Sequence, residues 1–323
     1  MTPTQRYLFD LQGFIILRNV LSQPEVDAAN AAITANEHHA KSRTNPAIRN
    51  TASNTPLSGD GSTGRVDLGK ILQFPNDESK VFRSILNHPT LLPFFNSLLG
   101  PGYRLDHSPL VLLQQKGSEG FSLHGGTTDV RSGEYNHHLE YSYKNNGVMR
   151  CNLLACEVIL TPHPKNRGGW CVVPGSHKSN LNAPLELIDG GSEIEGEGMQ
   201  DVCVHPEVNP GDVILFSEGT VHGATSWKND FQRRVALYRF APCYMGYGRS
   251  YFGEDKGNTA WPEGLTDGMT EGEKAVCLQP FASHLERPVN ILADDGASTE
   301  VKVGKRKEEK KAFDREVFGT EYF

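Results

Sequence analysis

No stretch of the chain approaches the roughly 18 consecutive apolar residues that a membrane span needs. The opening residues, Met1-Thr2-Pro3-Thr4-Gln5-Arg6, lack the apolar core of a signal peptide. The expectation is a soluble, intracellular, cytoplasmic protein with no membrane partner. A basic stripe is also missing: the formal net charge is −7, which disfavours a phosphate-backbone partner, so nucleic acid is not the expected substrate. No C-x-x-C pair occurs among Cys151, Cys156, Cys171, Cys203, Cys243 and Cys277. Most lie in apolar, strand-like runs and read as small buried hydrophobes rather than zinc ligands, disulfides or nucleophiles. No internal repeat is visible. What is present is an ordinary globular composition, 37% hydrophobic and 22% charged over 323 residues, enough for one large domain or two small ones with a sizeable core.

In chain order, Tyr7 to Leu11 closes a short helix that leads into a strand from Phe14 to Val20. Ser22-Gln23-Pro24-Glu25 fits a capping box ahead of a helix to about Ala35. From His39 to Gly64 the composition turns to Ser, Thr, Asn, Gly and Pro without apolar periodicity, which predicts a long loop, either part of a lid or a surface insertion. Short amphipathic helices at Lys80–Leu86 and Pro93–Leu99 precede a series of strands: Tyr103–His107, Leu110–Gln115, Phe121–His124, Met149–Leu160, Gly169–Val173 and Asp201–Val208. Many short strands after a helical start predict a mainly β protein with flanking helices, an antiparallel sandwich or jelly roll. Beyond Cys243, Thr270–Leu278 reads as a helix and Lys302–Lys311 as a solvated charge run. Tyr244, Tyr247, Tyr251 and Phe252 either cover surface or lean over a site. The expected division is a domain at 1–243 and an extension at 244–323 packing on it.

The stretch that organises the rest is Gly211 to Arg239. Turn residues Asn209-Pro210-Gly211-Asp212 precede an apolar run, Val213 to Phe216, and a second run follows from Arg234 to Phe240. They read as two strands of one sheet, with His222 between them and Arg233-Arg234 ahead of the second. A neutral imidazole can bind a metal and a guanidinium can grip a carboxylate with two hydrogen bonds, so one short stretch can hold both ends of a metal-chelating diacid.

His222-Gly223, with Arg233 eleven positions on and a strand after it, resembles the distal half of the iron(II)/2-oxoglutarate site in the phytanoyl-CoA dioxygenase family. Gly168-Gly169-Trp170-Cys171-Val172-Val173-Pro174-Gly175-Ser176-His177-Lys178 resembles that family's G-G-x-x-x-V-P-G-S-H-K stretch, and Gln12 to Leu21 its N-terminal strand. The similarity runs from about residue 8 to about residue 243. It implies a double-stranded β-helix of cupin-like, jelly-roll form. It also implies Fe(II) and 2-oxoglutarate as cofactors, ascorbate as reductant, and oxidation of an unactivated C–H bond of a small molecule. Arg233 would anchor the distal carboxylate of 2-oxoglutarate, with Thr225 or Tyr238 as helpers. Gln114 and Asn152 would border the site and bond the cosubstrate or substrate. Because neighbouring strand residues face opposite sides, only one of Arg233 and Arg234 can enter the barrel, and the family spacing selects Arg233. His177 is expected to make structural hydrogen bonds.

The family's first two iron ligands form an H-x-D step, and here the sequence departs from it. The strand and turn Leu110 to His124 match the segment before the first histidine, yet Gly126 stands where Asp belongs. His138-Leu139-Glu140 is a true H-x-E step but follows a polar loop, and a ligand is held better at a strand end. The preferred set is therefore His124, His222 and Glu140. Asp129, Glu218 or the pair His138 with Glu140 remain as alternatives. A site with no carboxylate at all resembles iron halogenases of related fold, in which chloride takes the vacant position. A silent barrel acting as a binding module is a further alternative. Oligomeric state is not legible.

Overall fold

The computed structural model describes residues 1–43, 51, 54–75, 77–129, 132–143, 149–179, 181–190, 202–248 and 261–321. Tyr251 and Phe252 lie outside them. Two compact units form, residues 1–82 with 107–240, and residues 83–106 with 241–323. The segment 83–106, expected within a 1–243 domain, thus clusters with the C-terminal residues.

In chain order the strands are β1 (Phe14–Leu17), β2 (Lys41–Ser42), β3 (Val66–Leu68), β4 (Arg104–Leu105), β5 (Leu110–Gln114), β6 (Phe121–His124), β7 (Tyr141–Tyr143), β8 (Met149–Cys151), β9 (Leu154–Ile159), β10 (Gly169–Val172), β11 (Val213–Ser217), β12 (His222–Thr225), β13 (Arg233–Ala241), β14 (Pro288–Leu292) and β15 (Thr299–Val303). The larger sheet of the first unit runs β1-β11-β9-β13-β5-β3-β2 and the smaller β10-β12-β6, all pairs antiparallel. Both sheets feed one core. Phe14, Leu112, Ile159, Ile214, Phe216 and Val235 of the larger sheet pack with Trp170 and Val172 of the smaller, and the Trp170 ring lies 5.4 Å from that of Phe14 and 5.2 Å from that of Phe216. This is the expected mainly β jelly roll with flanking helices.

Some expectations shift in detail. β11 and β13 share a sheet as predicted, but β9 stands between them. His222 is not in a connection; it opens β12, a strand of the other sheet. Pairing with β6 and β10 explains how a run as short as His222-Gly223-Ala224-Thr225 can be a strand. Met149–Leu160 breaks into β8 and β9. Among the described residues of Asp201–Val208 only isolated bridges form, Val204 with Val172 and Val208 with His163.

The N-terminal helix Pro3–Gln12 starts on a Thr2 capping box and ends at Gly13, φ +84°. The next helix, Gln23–Asn36, starts at Ser22, whose N–H and Oγ both donate to Glu25. The described part of the 39–64 loop is anchored: Leu57 is fully buried, its carbonyl accepts from Gly120 N, and Asp60 N donates to Gly117 O. All six cysteines are buried and free, as small hydrophobes would be, and burial pushes the Cys151 thiol up to about 12. Among the described residues no helix is long and apolar enough to cross a membrane.

The second unit contains a short helix, Glu271–Val276, on a Thr270–Glu273 capping box, and the hairpin β14-β15. It closes with the helix Glu308–Phe318. The charge run ends in that helix, where Asp314, fully buried, takes Arg306 and Lys310 as ion partners.

Candidate metal centre

His124 closes β6 and His222 opens β12. Antiparallel pairing puts their Cα atoms directly opposite, with the rings 4.3 Å apart. Each Nδ1 faces a backbone carbonyl two residues upstream, Ser122 O at 3.0 Å for His124 and Thr220 O at 2.7 Å for His222. A carbonyl can only accept, so both Nδ1 atoms carry the proton and both Nε2 atoms keep a lone pair, the arrangement that orients a metal-binding imidazole. Glu218, on the turn from β11 to β12, joins them. Ligand atoms of His124, Glu218 and His222 all lie within 4.8 Å of one another, and Glu218 Oε2 is 3.6 Å from His222 Nε2.

The turn that carries Glu218 and His222 is clamped by the two stretches that carried the resemblance. Gly13 O accepts from Ser217 N and Thr220 Oγ1. Ser176 Oγ accepts from Val221 N at 2.7 Å, while Gly175 N donates to Gln12 O. His177 pairs with Asp10 O at 3.1 Å, a structural role as expected. A Cβ at Gly13 would stand 2.3 Å from Thr220 Oγ1 and 2.5 Å from His177 Nδ1, so the glycine is required by contact as well as by its positive φ.

The electrostatics suit ligation. Burial, then the neighbouring His222, hold His124 down at about 3. Burial likewise lowers His222. Burial would raise Glu218, but the ion-paired Arg239 guanidinium and then the two imidazoles outweigh it and hold the carboxyl at about 2. At neutral pH the set is two neutral imidazoles and one carboxylate, the protonation state a divalent metal needs.

Neither Glu140, Asp129 nor His138 joins this cluster. Glu140 is half-buried, and the neighbouring Leu139 carbonyl lies against Gly219. Asp129 is exposed and accepts from Ser132 N. His138 is exposed, its N–H on Asn136 Oδ1. The physical reason lies in Gly125-Gly126. A Cβ at Gly125, φ +108°, would sit 2.5 Å from Thr220 O and 2.9 Å from Glu218 O, and Gly126 N donates to Gly219 O at 2.9 Å. The chain after His124 runs directly against the Glu218 turn. The carboxylate that stands beside the two imidazoles belongs to the β11–β12 turn, not to the segment that follows His124.

Six residues before Arg239, and on the same face of β13, Arg233 ends a cavity of about 350 Å³ that also borders His124 and His222. Arg233 is 1% exposed. Its Nη1 donates to Gln114 Oε1 at 2.6 Å, and Gln114 Nε2 in turn donates to Glu119 O. Its Nη2 faces Glu157 at 3.7 Å, beyond hydrogen-bond reach, and its Nε meets no acceptor. A buried guanidinium that lines the cavity and is not fully hydrogen-bonded fits a carboxylate ligand. Arg234 turns outward to Asn30 O, Thr34 Oγ1 and Glu37. Tyr238 donates to Phe82 O, while Thr225, 3.5 Å from Gly169 O, and half-buried Asn152 stand outside this cavity wall.

Sequence reasoning passed over Arg239, Glu157 and Trp170, all cavity-lining. The alternation that separates Arg233 from Arg234 also puts Arg239 inside, and one glutamate within the apolar run Leu153 to Leu160 was the signal for Glu157.

A jelly roll enclosing two imidazoles, a carboxylate and a remote arginine defines the class: an iron(II)/2-oxoglutarate-dependent dioxygenase-like enzyme. The chain belongs to the phytanoyl-CoA dioxygenase (PhyH) family, which it matches over residues 9–235. The peroxisomal phytanoyl-CoA dioxygenase of Mus musculus is 22% identical over 254 residues, covering 74% of this chain and 68% of that protein. Similar folds include HygX from Streptomyces hygroscopicus, solved with nickel and 2-oxoglutarate bound (TM-score 0.58, 19% identity, 80% of this chain and 96% of that one). EctD from S. alaskensis, solved with 2-oxoglutarate and 5-hydroxyectoine, is also similar (TM-score 0.51, 20% identity, 82% and 86%).

Proposed function

We propose that this enzyme holds iron(II) on His124, Glu218 and His222, anchors 2-oxoglutarate through Arg233 and Gln114, and hydroxylates or otherwise oxidises an unactivated C–H bond of a small molecule. The observation that carries this reading is the convergence of two Nε2 lone pairs and one carboxylate, with Arg233 lining the cavity that His124 and His222 border. Two imidazoles and a carboxylate are the donor set that suits iron(II) with open positions. When bound, iron(II) and 2-oxoglutarate supply an oxidant from molecular oxygen, with succinate and carbon dioxide as co-products.

The protein's part is binding and orientation. The carbonyls of Ser122 and Thr220 fix the imidazole tautomers, Arg239 holds Glu218 charged, and Arg233 fixes the far end of the diacid. A second cavity of about 440 Å³ meets His124 from the side of Gly125–Asp129 and includes Leu187, Ile188 and Val221 in its wall. Its size suits a small molecule, and one HygX structure of similar fold holds hygromycin B. Glu218 weighs against the chloride-binding, halogenase-like arrangement, since a carboxylate already stands beside the imidazoles. A silent barrel would need neither the oriented imidazoles nor the buried arginine.

The test is succinate formation from 2-oxoglutarate by protein prepared without oxygen and given Fe(II), with ascorbate as reductant. Turnover is expected even without the true substrate, though slow. Absence of succinate above a metal-free control across a broad substrate panel would return the fold to a binding role.

A further inference from the structure

Glu157 belongs to neither the metal set nor the expected cosubstrate set, yet it lines the same cavity at 5% exposure, on the inner face of β9 between Ala155 and Ile159. Its ion partner, Arg233 Nη2, is 3.7 Å away. Its Oε2 meets no hydrogen-bond donor, while Arg233 Nε and Trp170 Nε1 in the same cavity meet no acceptor. Buried ion pairs offset their desolvation by hydrogen-bonding both partners closely; this pair is held apart with donors and an acceptor left over. Arg233 and Glu157 both line the cavity, so it has the polarity for one more carboxylate on the guanidinium. That carboxylate would then stand beside Glu157, and two buried carboxylates sharing a site do not both stay ionised.

We infer that Glu157 takes up one proton from solvent when the diacid cosubstrate binds, and that the neutral carboxyl then donates a hydrogen bond toward the carboxylate gripped by Arg233. The inference rests on the reading of Arg233 as the cosubstrate anchor. The only bond made or broken is the O–H bond of Glu157. Arg43, Arg65, His124 and His222 share the cavity with Glu157. β13 presents Arg233 and Arg239, Glu218 lies near Arg239, and Cys156 precedes Glu157 on the opposite face of its own strand. β11 presents Ile214 and β10 Trp170, neither of which titrates; Arg65 and Cys171 act on Arg233, which in turn acts on His163. Burial raises the Glu157 carboxyl, the two arginines lower it, and the net direction is upward. The group already leans toward the neutral form before a second anion arrives.

The experiment is calorimetric titration of 2-oxoglutarate into the protein loaded with Mn(II) as a redox-quiet metal. It is run at about pH 6 and about pH 8, each in two buffers of different ionisation enthalpy. The expected result is uptake of about one proton per cosubstrate at the higher pH, with affinity falling about tenfold per pH unit above the Glu157 titration. Glu157→Gln should bind with no uptake and little pH dependence. Binding without proton uptake in the wild type, or uptake unchanged in Glu157→Gln, overturns the inference and leaves the Arg233 anchor standing. No binding by the metal-loaded protein at either pH overturns the anchor reading, and this inference with it. If circular dichroism shows that Glu157→Gln does not fold, the wild-type proton count decides alone.

Discussion

The two ends of the cavity are built on opposite principles. At the metal end the polar groups that orient the ligands are satisfied: both Nδ1 atoms have carbonyls, Glu218 has Arg239, and the turn between them is tied to Gly13 and Ser176. At the arginine end, Arg233 Nε, Glu157 Oε2 and Trp170 Nε1 are buried without partners, and so is His163 Nε2, on a ring beside Trp227. The first end is preorganised, so a metal finds its ligands already aimed. The second carries unmet hydrogen bonds, each costing on the order of 1–3 kcal/mol, so it is the less settled of the two before a ligand binds.

The sharpest way to break this comparison is at the metal end. His124→Ala and His222→Ala should each abolish measurable iron(II) binding, because three protein ligands are already few for an ion early in the affinity series. His138→Ala should leave binding unchanged. Anaerobic iron titration followed by equilibrium dialysis reads both outcomes.

At the other end, Arg233→Ala should weaken 2-oxoglutarate binding roughly 30-fold or more, the equivalent of about 2–5 kcal/mol for truncating a buried, charge-assisted pair. Iron binding should stay nearly intact. Arg234→Ala, on the outer face, should do far less to 2-oxoglutarate. Calorimetry on metal-loaded protein separates the two, and reversed effects would mean that the inward face of β13 is misassigned.

How far the sequence went follows the same division. Strand alternation lets only one of Arg233 and Arg234 face inward, and the spacing of the resembled family selects Arg233; the same resemblance, with a strand end to hold a ligand, points to His124. The carboxylate was less legible. Glu218 stands among the sequence candidates, but the Gly-rich, polar loop from Gly125 to Glu140 reads as able to fold back and so favours Glu140. The structure brings Glu218 in across the sheet, through Gly125 packed on the Glu218–Thr220 backbone, a contact between residues 93 or more positions apart that no local pattern encodes. Glu157 and Arg239 were missed for a related reason: their meaning depends on which groups face them from other strands.

A smaller effect probes the clamp that holds the metal end. His177 is 2% exposed, and burial lowers it to about 4 from its ordinary 6.5. Between those values the unfolded chain binds more protons than the folded one, so stability is full above the ordinary value and lost as pH falls toward about 4. Going from pH 7 to pH 5, this one group should cost about 2 kcal/mol. His205, lowered likewise to about 4 by burial, adds to the same slope. Urea unfolding at the two pH values should show the wild type losing more stability than His177→Gln, which removes one titrating group. An equal loss in both would contradict the assignment.

The proposed metal site turns on Glu218, on the β11–β12 turn, taking the place of the carboxylate missing after His124. Iron(II) affinity measured anaerobically for Glu218→Ala and for Glu140→Ala tests it most directly. The account predicts that Glu218→Ala lowers affinity as severely as either histidine substitution, while Glu140→Ala binds like the wild type. Loss of binding in Glu140→Ala, with Glu218→Ala unaffected, would contradict it.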